Sequence, residues 1–218
     1  MASETTRFMQ RARTPRAAAV AGILFGVLFS GCIVLIRLAM PPDLADLHAW
    51  TDTTRRMVSL ALGLIPLAGV AFRWFIGVVR DRLGEYEDRL FATVFFGSSL
   101  LFLAMVFVSM AIAGSILAVA KAGTELAIPN DLIYFARALM LQVSNVYALR
   151  MAGVSMISLG TIWWRTGLMP RWMVIITYLL ALALLVIINL SLWVALIFPT
   201  WVFVISVYKL VTTEPNKL

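Results

Sequence analysis

Arg150 is the residue whose type and position stand out most, because it lies inside an apolar stretch, at the end of the run Ser144-Asn145-Val146-Tyr147-Ala148-Leu149-Arg150. About 15 residues separate it from Arg165, which places it roughly 20 Å from one membrane boundary if the stretch is helical. A charge at that depth is costly unless it is paired or hydrated. No acidic residue lies inside any predicted span. Arg150 is therefore expected to mark a polar site.

Two prolines are predicted to lie at similar depth, in the second and sixth spans. Because proline has no N–H, each would free a backbone carbonyl one turn earlier, at Leu62 and at Ala195. We expect an outward-opening pocket that takes an anion, a lipid headgroup or a small solute. Its predicted residues are Arg150, Asn145, Tyr147, Pro66 and Pro199.

A structural role for Arg150 is the alternative. The guanidinium would then satisfy the freed carbonyls, or reach Asp131, and hold the bundle together, since buried polar groups in membranes are normally satisfied. A water-accessible cavity around Arg150 would favour the binding role, and a dry site sealed by carbonyls would favour the structural one.

Catalytic and metal-binding patterns are missing from the sequence. Its one cysteine, Cys32, and one histidine, His48, cannot form a metal cluster or a disulfide. HExxH, CxxC, GxGxxG and the Walker pattern are absent. We therefore expect no enzyme, no metal and no cofactor. A lipid-modifying enzyme stays open as an alternative, and it would need acidic or histidine side chains converging near Tyr147 and Arg150.

Composition then defines the scaffold that must position these residues. The 218 residues are 62% hydrophobic and only 13% charged, which excludes a soluble globular enzyme and a disordered chain. The fold class predicted is an all-α bundle of six transmembrane helices. The predicted spans are Ala17–Met40, Met57–Val79, Leu90–Ala120, Ser144–Trp163, Trp172–Ile188 and Leu192–Tyr208. Residues 1–16 and 212–218 are predicted as tails of a membrane domain covering 17–211.

Orientation follows from the basic residues, which favour the cytoplasmic side. With the N-terminus inside, eleven Lys and Arg fall on the inner side and five on the outer side, so both termini are predicted to be cytoplasmic. The fifth and sixth spans form one uncharged run that is broken only at Asn189-Leu190-Ser191. We expect a hairpin there. A single long helix is the alternative and would move the C-terminus to the other side.

Two further patterns indicate partners. Gly22, Gly26 and Ser30 form a stripe of small residues that predicts close helix packing, either within the chain or as a homodimer seam. The loop after the second span alternates basic and acidic residues, which indicates either a solvated helix end or a docking surface for a cytoplasmic protein. The predicted docking residues are Arg80, Arg82, Glu85, Glu87 and Arg89. No basic cluster is interleaved with exposed aromatics, so no nucleic acid is expected.

Three segments resemble a family of small six-span bacterial inner-membrane proteins of unknown function. They are the basic tail leading into Arg16–Gly26, the stretch Phe75–Gly84, and the turn Gly167–Trp172. The resemblance covers about a third of the chain. It implies a bacterial plasma membrane as the location, and no function or site residue.

The function expected from the sequence is binding of a partner protein or a lipid within the plasma membrane, by a protein that is not a catalyst. The alternative is a transporter or channel for an anionic or neutral solute, with Arg150 as its substrate contact.

Overall fold

The apolar runs fold as helices because a backbone in hydrocarbon must satisfy its own polar groups. The computed structural model describes the backbone of residues 2–39, 50–83, 89–122, 129–186 and 192–212, and the side chains of 17–39, 50–81, 90–122, 129–186 and 193–212. These residues form helices and no strand, which confirms the all-helical class for them. The helices are α1 (Ala2–Ala39), α2 (Asp52–Leu83), α3 (Arg89–Ala122), α4 (Asn130–Leu141), α5 (Leu149–Thr166), α6 (Arg171–Val186) and α7 (Ile197–Thr212).

Five helical stretches are long and apolar enough to cross a membrane. They are Ala17–Ala39, Asp52–Asp81, Leu90–Ala122, Asn130–Thr166 and Trp193–Thr212. The described part of α6 is apolar and covers 16 residues, about 24 Å, against a hydrocarbon core of about 30 Å. The bundle is that of a multi-pass membrane protein, and the sixth crossing stays a prediction.

The fourth helical stretch begins earlier than its predicted start at Ser144. Pro129 has an extended backbone and precedes α4, and the Leu132 N–H donates to the Pro129 carbonyl at 3.0 Å. Proline is common at the start of a helix, because a backbone N–H, which proline lacks, would have no partner within the helix there. Residues 131–143 therefore belong to this helical stretch. Through a π-helical segment, Gln142–Ala148, α4 continues into α5.

The final apolar run is two antiparallel helices. Trp201 Nε1 donates to Thr177 Oγ1 at 3.0 Å, although the two residues would lie about 36 Å apart in one continuous helix. Near the C-terminus of α7, Lys209 Nζ donates to the carbonyl of Leu168, which lies just before α6, at 2.8 Å. The chain therefore reverses direction between α6 and α7, as the hairpin prediction requires. The predicted break, 189–191, lies outside the described residues.

Four phenylalanines from four helices fill the middle of the bundle, and we call them the aromatic centre: Phe25, Phe72, Phe102 and Phe198. Ring centroids lie 4.4 Å apart for Phe25 and Phe72, and 4.6 Å apart for Phe102 and Phe198. All four are almost fully buried. Helix α1 packs against α2 and α7, α3 against α2 and α5, and α6 against α5. The four rings therefore join helices that are not all direct neighbours. Burial of these rings contributes strongly to the packing of the bundle.

The glycine stripe of α1 packs within the chain. A Cβ on Gly26 would lie 2.7 Å from Phe203 Cβ and 3.0 Å from the Pro199 carbonyl oxygen, and a Cβ on Gly22 would overlap Ser206 Oγ. Close approach of α7 thus depends on these glycines. Ser30 is half-buried. A homodimer through this stripe stays a prediction. At Gly22 and Gly26, the face of α1 that such a dimer would use is covered by α7.

Candidate functional site

The polar run singled out in the sequence adopts an unusual backbone. Residues Gln142–Ala148 form a π-helix, with the flanking residues in ordinary right-handed helical geometry. π-helical turns are rare and occur frequently at functional sites. Asn145 and Tyr147 both lie in this segment, and Arg150 follows it by two residues.

Hydroxyl groups support the backbone where the α-helix changes to the π-helix. A switch from i+4 to i+5 bonding disturbs the carbonyl pairing at the junction, and buried carbonyls need donors. Ser109 Oγ on α3 donates to the Met140 carbonyl at 3.0 Å, and Ser144 Oγ to the Leu141 carbonyl at 3.4 Å. The last turn of α4, just before the π-helix, is therefore fixed to α3 by a buried hydrogen bond.

Arg150 lies on the side of α5 that packs against α6. Gly153 and Thr161 share this side, since they follow Arg150 at spacings typical of one helix face. A Cβ on Gly153 would lie 3.1 Å from the Ala181 carbonyl oxygen, and Thr161 Oγ1 lies 2.9 Å from the Tyr178 hydroxyl. Arg150 continues this contact face toward the N-terminal end of α5.

The described part of α6 reaches the level of Arg150. Gly153 lies opposite Ala181 and Leu185, and the two helices run antiparallel. One turn from Gly153 toward Arg150 therefore corresponds to the last described residues of α6, up to Val186. Arg150 is half-buried at this level.

Arg150 has no hydrogen bond or ion pair with any residue in the described part of the chain. The carbonyls of Leu62 and Ala195 lie in described segments, and Arg150 donates to neither. Asp131 is exposed and lies 19 residues earlier on the same helical stretch, about 28 Å away along its axis. Arg150 therefore makes none of the expected pairings with these groups among the described residues, and a structural role for it stays a prediction.

The remaining predicted pocket residues lie in different environments. Asn145 is half-buried, and its Oδ1 lies 3.5 Å from Ser144 Oγ. Tyr147 is exposed at the surface of the bundle. Pro66 is exposed on α2, whereas Pro199 is buried in the first turn of α7, where a helix tolerates proline. A pocket shared by all five predicted residues stays a prediction.

The predicted docking loop is described only in part. Arg80 is exposed in the last turn of α2, and its Cζ lies 4.5 Å from the centroid of the Phe96 ring. Glu85 and Glu87 lie outside the described residues, as do the side chains of Arg82 and Arg89 and the whole of residue His48. Docking of a cytoplasmic partner stays a prediction.

Sequence reasoning missed the π-helix and the serine that supports it. The polar residues Ser144 and Asn145 inside an apolar run were the available signal, but they do not distinguish a π-helix from an α-helix. Ser109 carries no signal in the sequence, because its role depends on α3 packing against Met140.

A scan against protein-family models, a search of curated proteins and a search of solved structures find no match for this chain.

Proposed function

We propose that this chain is a six-span integral protein of a bacterial plasma membrane, with both termini in the cytoplasm, and that it binds an anionic lipid at Arg150. The excess of basic residues on one side supports the orientation. The antiparallel pair α6 and α7 supports an even number of crossings.

The observation that carries the binding role is the half-buried guanidinium of Arg150, which has no partner in the described part of the chain. An arginine inside hydrocarbon is normally paired or hydrated. Two oxygens of a phosphate match the geometry of a guanidinium, and the negative charge of the phosphate would neutralise the charge of Arg150. Because Arg150 is only half-buried, part of its side chain is accessible to such a ligand.

A lipid is favoured over a transported solute because of the surroundings of this residue. Tyr147, one turn away on the same helical stretch, is 51% exposed on the outer surface of the bundle. The middle of the bundle is filled by the aromatic centre, with ring centroids 4.4–6.2 Å apart. These contacts support lateral entry from the bilayer and disfavour a passage through the bundle.

Native mass spectrometry of the full-length protein released from nanodiscs containing phosphatidylglycerol tests the proposal. Wild type is expected to retain one more phosphatidylglycerol than Arg150→Gln. The matched control is Arg56→Gln, which removes an exposed arginine near the outer end of α2 and should keep the wild-type count.

Equal lipid counts for wild type and Arg150→Gln would overturn the lipid role. Uptake of an anionic solute into proteoliposomes, if lost in Arg150→Gln, would support the transporter instead. A thermal unfolding curve for each variant shows that the fold has survived the substitution.

A further inference from the structure

Two arginines flank the first turns of α3 at the end of the bundle opposite the π-helix. Arg80 comes from the last turn of α2, and Arg165 from the last turn of α5. The Arg80 Cζ lies 4.5 Å from the Phe96 ring centroid, and the Arg165 Cζ lies 5.0 Å from that of Phe91. Both arginines are exposed, and each guanidinium lies against an aromatic ring.

An exposed apolar stripe runs along α3 between these two arginines. Leu90, Val94 and Leu101 are 69%, 39% and 49% exposed, and their spacing places them on one helix face. With about 100° per residue, Phe91 and Phe96 fall on opposite sides of this stripe. The packing of α3 between α2 and α5 agrees with that placement.

The dimensions and charges of this surface match a phospholipid. From Leu90 to Leu101 the stripe extends about 16 Å, close to half of a hydrocarbon core of about 30 Å. Acyl chains would lie on the stripe, and the phosphate would lie level with the two guanidinium groups. Cationic residues at the membrane surface attract anionic headgroups, whereas a soluble acidic peptide could not follow an apolar stripe into the bilayer.

We propose that α3, Arg80 and Arg165 form a binding site for an anionic phospholipid in the leaflet next to the N-terminus of α3. The cation–π contacts order both side chains before the lipid arrives, which reduces the entropy lost on binding. This site is separate from Arg150 and does not depend on lipid binding there.

Titration of the full-length protein in detergent with phosphatidylglycerol, followed by thermal unfolding, tests this site. Phosphatidylglycerol is expected to raise the Tm of wild type, while phosphatidylcholine with the same acyl chains, or inorganic phosphate, leaves it unchanged. Each of Arg80→Gln and Arg165→Gln should weaken the apparent affinity about fivefold, which corresponds to about 1 kcal/mol. The double variant should lose about 25-fold by the same reasoning.

Controls separate this site from general charge effects and from Arg150. Arg171→Gln removes an exposed arginine at the same end of the bundle and should keep the wild-type affinity. Arg80→Lys should retain most of the affinity because the charge is kept. The proposal is overturned if the double variant binds as wild type does, if Arg171→Gln loses as much affinity, or if inorganic phosphate stabilises the protein equally. It is also overturned if Arg150→Gln alone abolishes the effect.

Discussion

Gly26→Ala is predicted to destabilise the bundle although alanine is the better helix former. On α1, a Cβ at this position would lie 2.7 Å from Phe203 Cβ and 3.0 Å from the Pro199 carbonyl oxygen. Backbone and Cβ atoms cannot swing aside as the end of a flexible side chain can, so α7 itself would have to move. Inserting a methyl group into such a contact costs about 1–3 kcal/mol.

Gly31→Ala is the matched control because it lies on the same helix with no heavy atom within 4 Å of the added Cβ. Both substitutions gain about 1 kcal/mol from helix propensity, and this gain cancels in the comparison. The difference between the two variants therefore isolates the contact with α7. For a chain of this size, about 1–3 kcal/mol corresponds to a difference in Tm of about 2–12 °C.

The assay is thermal unfolding of the two variants in the same detergent, together with their oligomeric state by size-exclusion chromatography with light scattering. We expect Gly26→Ala to unfold at the lower temperature with no change in oligomeric state. Equal Tm values would refute the close approach of α7 at Gly26. A lost dimer with unchanged monomer stability would place the homodimer seam on this stripe instead.

Three other substitutions or treatments probe the interior. Thr177→Val leaves the buried indole N–H of Trp201 without its acceptor and is expected to cost about 1–3 kcal/mol; in a Trp201→Phe background the same change should cost measurably less. Phe102→Ala removes a ring of the aromatic centre and should cost about 3–5 kcal/mol, whereas Phe135→Ala, at a 63% exposed position, should be close to neutral in the same unfolding assay. Cys32 is fully buried, and N-ethylmaleimide is expected to modify it only after denaturation, so rapid labelling of the folded protein would contradict the packing of α1 on α2.

The apolar runs were sufficient to predict most helices, because hydrophobicity over about 20 residues reports directly on burial in a bilayer. The third span, predicted as Leu90–Ala120, differs from α3 by two residues or fewer at each end. Residues 131–143 were harder. From the sequence they could either lie flat on the outer surface or extend the fourth helix beyond the membrane, and only the continuous helical backbone from Asn130 to Thr166 decides between them.

Arg150 shows where prediction of the site stops. Its unusual depth could be predicted by counting residues, since helix rise is constant. That it has no partner among the described residues could not be predicted, because this depends on which side of α5 the helix α6 packs. The carbonyls proposed as its partners follow from proline chemistry alone, and the positions of α2 and α7 determine whether they are within reach.

The sequence by itself determined the helical class, the position of most spans and the rare charge at Arg150, because these follow from local hydrophobicity and chain length. Only the tertiary structure decided which helix covers Gly22 and Gly26, how four phenylalanines meet in the middle, and that Arg80 and Arg165 lie on either side of α3. Those contacts join residues tens to more than a hundred positions apart. They depend on the relative rotation and tilt of packed helices, which no local pattern encodes.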